Sequence, residues 1–192
     1  MGRLASVIGV VLAGGAGRRL GRGSKPAALL GGRPLIEYPL AALAGVCERL
    51  AVVCKSETRL PELPDAERWE EPDEPRHPLT GIVHALETAR APVLVCAADM
   101  PFVTADACRT LMQGAGGSPA VVATAEGLLQ PTFGLYAPAA LATLRAAPQD
   151  GPLTEAVEAL DPGRVALPPA LVRSVNTPEE LAEAEALLAA RY

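Results

Sequence analysis

Aromatic side chains are scarce in this chain, with two Phe, one Trp and three Tyr among 192 residues. Hydrophobic residues still make up 49% of it, so the interior must be closely packed Ala, Val and Leu, with little aromatic stacking. Cysteine is sparse too. Cys47, Cys54, Cys96 and Cys108 form no C-x-x-C and sit mainly in apolar runs. That pattern excludes a thiolate metal site or a disulfide framework, and predicts reduced, packed thiols in a cytoplasmic protein. The two histidines, His77 and His84, have no third ligand beside them and read as surface or packing residues. Positive charge is not in excess: 17 Lys and Arg face 22 Asp and Glu, a net charge of −5, which excludes a general nucleic-acid surface. No apolar run is long enough to span a membrane. The opening MGRLASVIGVVLAGG has the basic and apolar parts of a signal peptide, but it reads better as a first strand running into a glycine loop. There are no repeats and no low-complexity linker, and the length suits one domain with a full core.

What the chain does have is concentrated between Val10 and Ile36, VVLAGGAGRRLGRGSKPAALLGGRPLI. Ser6 to Leu12 is a short apolar, β-branched run that predicts a strand covered on both faces. Ala13-Gly14-Gly15-Ala16-Gly17 then lets the backbone turn tightly and approach a ligand closely. Arg18, Arg19, Arg22 and Lys25 place a local cationic patch on an acidic protein. Backbone N–H groups, guanidinium forks and an ammonium all match phosphate oxygens, so the segment predicts a site for a small polyanion. It is not a P-loop, which needs G-x-x-x-x-G-K-S/T, because Lys25 follows Ser24 and precedes Pro26. Nor is it a dinucleotide fingerprint, since Leu20 stands where the third glycine belongs.

Strands and helices alternate along the rest. A helix is predicted from Pro34 to about Val46, a strand from Arg49 to Lys55, and a polar, proline-rich loop from Pro61 to His77 with a short strand near Trp69. A helix follows from Leu79 to Ala89, then a central strand from Pro92 to Ala98, then a helix capped by Thr104 and running to about Met112. In the second half, strands are predicted at Ala120 to Thr124, Thr132 to Tyr136 and Val172 to Val175, with short helices at Pro138 to Arg145 and Leu153 to Leu160. Thr177-Pro178-Glu179-Glu180 is a capping box that opens a last helix to about Ala190. The pattern predicts an α/β fold, a single three-layer domain with a mainly parallel, twisted sheet and helices on both faces. Ligands of such folds bind at the carboxyl ends of the strands. Asp99 ends the Pro92 strand at that edge, where a carboxylate can hold Mg²⁺ with phosphates and water, or can serve merely as a turn residue.

L-A-G-G-x-x-x-R-x-G-x-x-x-K, from Leu12 through Gly14, Gly15, Arg19 and Gly21 to Lys25, is followed by L-x-G-x-P-L-I at Leu30 to Ile36. This resembles the signature of nucleotidyltransferases with a Rossmann-like GT-A fold. PLTGI at Pro78 to Ile82, CAADMPFVT at Cys96 to Thr104, QPTFGLY at Gln130 to Tyr136 and VNTPEEL at Val175 to Leu181 extend the likeness to the molybdenum cofactor guanylyltransferases over nearly the whole chain. The resemblance implies transfer of GMP from GTP to the phosphate of a molybdopterin-type acceptor, with release of pyrophosphate and with Mg²⁺ as cofactor. It implies Arg19, Lys25 and Asp99 as catalytic residues, and Asp99 as the metal ligand. For GTP it implies Leu12, Ala13, Gly14, Gly15, Arg19, Lys25, Cys54, Glu71 and Asp99, with Glu71, or Glu70 in its place, holding the guanine or ribose. For the acceptor it implies Gly81, Gln130, Thr132 and Asn176. Residues 1–103 or so would then bind GTP and Mg²⁺ and residues 104–192 the pterin, with transient docking to a protein that delivers or receives the cofactor. The chain departs from the family pattern at Cys54 and Ser174, where relatives carry asparagine, and at Ser24-Lys25-Pro26. The alternatives are a cytidylyltransferase for the same cofactor, a guanylyltransferase for a cobinamide phosphate, and a nucleotide-sensing module without catalysis.

Overall fold

Apolar runs too short for helices, separated by amphipathic stretches, build a layered α/β domain in the computed structural model, which describes residues 6–15, 25–114 and 116–190. In chain order the elements are β1 (Ile8–Leu12), β2 (Leu29–Leu30), β3 (Arg33–Pro34), α1 (Glu37–Ala44), β4 (Arg49–Cys54), β5 (Glu67–Glu70), α2 (Pro78–Ala89) and β6 (Val93–Ala97). They continue with α3 (Ala105–Gln113), β7 (Ala120–Ala125), β8 (Leu128–Tyr136), α4 (Leu141–Ala146), α5 (Leu153–Glu158), β9 (Gly163–Ala166) and α6 (Pro178–Ala189). Seven strands form one sheet in the order β5-β4-β1-β6-β8-β7-β9, while β2 and β3 make a separate hairpin. Among the described strands of the large sheet, β8 alone runs against the rest, pairing antiparallel with both β6 and β7.

Both faces of the sheet are covered, and the side-chain period of two sorts its residues between two apolar layers. Ile8 and Val10 of β1 point into the layer beneath α2, α4 and α5, while Val11 points into the layer beneath α1 and α3. As the composition requires, most of the buried side chains are Ala, Val and Leu, with Trp69, Phe102, Phe133 and Tyr136 as the buried aromatics among the described residues.

Three local expectations are corrected. The helix predicted from Pro34 begins at Glu37, because Pro34 pairs with Leu29 in the β2–β3 hairpin. Gly31 and Gly32, at φ of +56° and +81°, supply the turn that a tight hairpin requires. No strand forms at Val172 to Val175; that stretch makes one backbone bond into the sheet region, Val175 N–H to Asp99 O at 2.8 Å. The outer strand is instead β9, parallel to β7, whose arginine and half-exposed pattern suit an edge.

Candidate active site

A cleft opens at the carboxyl ends of β1 and β6, lined by Leu12 to Gly15, Lys25, Pro26, Ala97 to Asp99, and Glu71. Its far wall is the start of α2, with Arg76, His77, Pro78 and Gly81, and Thr132 and Ser174 complete it. His77 caps α2, its Nδ1 accepting from Leu79 N–H at 3.2 Å, and burial lowers its pKa.

A small apolar cluster assembles the cationic side of the cleft. Leu30 and Leu35 of the hairpin region pack with Phe102, Val175 and Ala184, which brings together three stretches far apart in sequence. Each of these stretches carries one polar group of the site. Lys25, in the 3-10 turn Lys25–Ala27, donates its Nζ to Asp99 Oδ2 and also to Asn176 Oδ1 at 2.7 Å. Asn176 is held in turn by the capping box of α6, because Glu180 accepts from the backbone N–H groups of Asn176 (2.6 Å) and Thr177 (3.1 Å).

The opposite side is carried by a buried ion pair. Lys55, which directly follows β4, is 1% exposed, and Glu71, just past β5, is 6% exposed. Lys55 Nζ lies 3.4 Å from Glu71 Oε1 and donates to the carbonyls of Pro72 (2.5 Å) and Pro75 (3.2 Å). Burial raises the pKa of the Glu71 carboxyl, and the Lys55 ammonium offsets only part of that rise.

Most of the residues predicted for the site meet in this cleft: Leu12, Ala13, Gly14, Gly15, Lys25, Glu71, Gly81, Asp99 and Thr132 line it, and Asn176 joins through Lys25. A bulge between β7 and β8 sets Thr132 there. The register passes from Val122↔Gly134 to Ala123↔Gln130, so Pro131, Thr132 and Phe133 of β8 have no partner in β7, a break suited to a residue with no N–H. Gln130 falls on the other side of that break and lines a separate cavity with Phe102 and Arg173. Cys54 is fully buried in the apolar layer and does not line the cleft. Arg18, Arg19 and Arg22 lie outside the described residues. Sequence reasoning missed Lys55 and Arg76; the signal for Lys55 was its place at the end of an apolar strand, on the same edge as Asp99.

A glycine loop, a lysine and an acidic strand end at the carboxyl edge of a parallel sheet define a nucleotide-binding α/β protein. The chain belongs to the MobA-like NTP transferase domain family, whose pattern it matches over residues 9–164, and it is therefore a nucleotidyltransferase. It is 34% identical to a molybdenum cofactor guanylyltransferase of Cereibacter sphaeroides, covering 95% of this chain and 97% of that protein. A protein of the same description from Rhizobium leguminosarum bv. trifolii is 32% identical, with 96% and 94% covered. Among solved structures, the molybdopterin-guanine dinucleotide biosynthesis protein A of Archaeoglobus fulgidus superimposes with a TM-score of 0.75 at 25% identity, over 96% of this chain and all of that one. A 4-diphosphocytidyl-2C-methyl-D-erythritol synthase shares the fold at a TM-score of 0.72 and 16% identity, over 96% of this chain and 99% of that one.

Proposed function

We propose that this enzyme transfers GMP from GTP to the terminal phosphate of a molybdopterin, releasing pyrophosphate and forming the guanine dinucleotide of the cofactor. The observation that carries the reading is the meeting of Lys25, Asp99 and Asn176 beside the Gly14-Gly15 loop, in a chain whose relatives are named for that reaction. An oxygen of the acceptor phosphate forms a bond to the α-phosphorus as the bond to the bridging oxygen breaks, and that oxygen leaves with the electron pair on pyrophosphate. The acceptor is already an anion at neutral pH, so no general base is required, and the protein's task is alignment and charge cancellation.

Lys25 neutralises phosphate charge from one side of the cleft, and Arg19 is assigned the charge that builds on the leaving pyrophosphate. Backbone groups of Leu12 to Gly15 approach the phosphates, while Glu71 faces the base or ribose. Asp99 would hold Mg²⁺. Among the described residues no cluster of three metal-binding side chains exists, but one hard carboxylate already paired with a cation fits an ion whose other ligands are phosphates and water. When bound, Mg²⁺ supplies charge stabilisation at the phosphates. The acceptor is assigned to the Thr132, Asn176 and Gly81 side of the cleft, with residues 1–103 or so serving GTP and the remainder the pterin; Gln130 sits beyond the β8 bulge. Among the described residues no helix is long and apolar enough to cross a membrane. The enzyme is assigned to the cytoplasm, where it would dock transiently to proteins that deliver or receive the cofactor.

Calorimetric titration with GTP, CTP and ATP, each with Mg²⁺, tests the reading, followed by pyrophosphate release with molybdopterin present. GTP is expected to bind tightest and alone to support release. Preference for CTP would replace guanylyl with cytidylyl transfer, and an absence of binding to all three would overturn the reading.

A further inference from the structure

An ammonium group removed from water is costly unless its donors are met, and Lys55 meets them unusually completely. Two go to the carbonyls of Pro72 and Pro75, and the Nζ faces Glu71 Oε1 at 3.4 Å. Glu71 is not met in the same way. Its Oε2 is buried and has no hydrogen-bond partner among the described residues, although a buried carboxylate oxygen ordinarily has one. That oxygen lines the nucleotide cleft: a Cβ placed on Gly81 would lie 3.3 Å from Oε2, and one on Gly14 would lie 2.0 Å from Oε1. The carboxylate is therefore wedged between the phosphate loop and the first turns of α2, tied at one oxygen and open at the other.

We infer that Lys55 is a positioning and specificity-determining residue: by holding Glu71 Oε1 and the Pro72 and Pro75 carbonyls, it presents Oε2 as a fixed anionic acceptor that selects nucleotides carrying an N–H or O–H donor at that depth. The inference rests on the nucleotide reading of the cleft and deepens it by assigning the selection to a residue that touches no ligand itself. Two parts of a nucleoside carry such donors, the edge of a purine and the ribose hydroxyls. Both find the same chemistry at Oε2.

The test compares wild type, Lys55→Met, Glu71→Gln and the double variant. Each is assayed with GTP, with ITP and ATP as base variants, and with 2′-deoxy- and 3′-deoxy-GTP as ribose variants. Loss of a charge-assisted hydrogen bond weakens binding by about ten- to a hundredfold. Lys55→Met is accordingly expected to raise the KM for GTP by that much, with the loss falling on KM more than on kcat, and to erase the discrimination against whichever analogue lacks the donor. A merely structural role would lower the melting temperature without moving the ratio of KM values between analogues. Because both residues act through one oxygen, the double variant should lose no more discrimination than Glu71→Gln alone. Should Lys55→Met fail to fold, Lys55→Arg keeps the buried carboxylate paired while moving the donors, and wild-type discrimination there would overturn the inference. Wild-type discrimination retained in Lys55→Met or in the double variant, or additive losses in the double, would overturn the inference. Wild type that binds GTP beside indifferent variants removes the role of Lys55 alone, whereas wild type that binds no nucleotide removes the reading of the cleft as well.

Discussion

Gly14 is constrained by a contact that a glycine-rich motif does not advertise. The sequence argues for glycines there because phosphates need an approachable backbone, yet a Cβ at Gly14 would meet the carboxylate of Glu71, fifty-seven positions away in the chain, at 2.0 Å. At Gly15 the same addition meets nothing within 4 Å. Gly14→Ala must therefore displace either the loop or Glu71, at about 1–3 kcal/mol for a clash in a packed site. Steady-state kinetics on Gly14→Ala should show kcat/KM for GTP lowered by tenfold or more, while a thermal melt of Gly15→Ala should match the parent; an unimpaired Gly14→Ala would contradict the contact. Asp99 was legible in the sequence because a carboxylate that ends a solid apolar strand has few other places to be. Lys55 was not. A lysine after a strand is ordinarily solvated, and only the fold of 71–75 over it reveals that its charge is enclosed.

Most elements were read correctly, and the ones missed are decided by partners elsewhere in the chain. The capping box at α6 is complete, with Thr177 accepting from Glu180 N–H at 3.2 Å and Glu180 reaching back to Thr177 N–H. Because Glu180 also holds Asn176 N–H, this cap anchors the residue that grips Lys25. Thr177→Ala should cost about 1 kcal/mol in urea denaturation. Hydrogen exchange at the Asn176 amide should quicken beyond what that global loss explains, and unchanged exchange would uncouple the cap from the site. By contrast, the hairpin at Pro34 and the edge strand β9 depend on what lies opposite them, Leu29 in one case and β7 in the other. The stretch at Val172 to Val175 is apolar enough for a strand, but tertiary packing spends it on the cluster around Phe102. The α/β class and the order of most elements could be read from periodicity; the reversed direction of β8 and its bulge at Pro131 could not, since both arise from pairing.

At the scale of the whole molecule, one of the two apolar layers, the one beneath α1 and α3, encloses every cysteine. Burial pushes the Cys47 thiol up to about 11 and the Cys108 thiol up to about 12, and raises those of Cys54 and Cys96 as well. Thiolate is the reactive form, so the native protein should resist a disulfide reagent at neutral pH, and all four thiols should react together as the fold opens. Following colour release from such a reagent against circular dichroism in urea checks this, and one fast thiol under native conditions would show a local opening instead. The same architecture is shared with a 4-diphosphocytidyl-2C-methyl-D-erythritol synthase at 16% identity, and Glu71 lines the cleft at the edge of that sheet.

The reversed strand β8 also sets a condition on synthesis. β1, β4, β5 and β6 come from the first half of the chain and pair in parallel with one another. The far edge of β6 is covered only by β8, which ends at Tyr136. Until that residue has left the ribosome, Val93, Leu94 and Val95 form an open, wholly apolar border with unpaired backbone, the kind of surface that recruits other unfinished chains. The nascent protein is thus most dependent on chaperones in the interval between the completion of its nucleotide-loop half and the arrival of the strand that seals it.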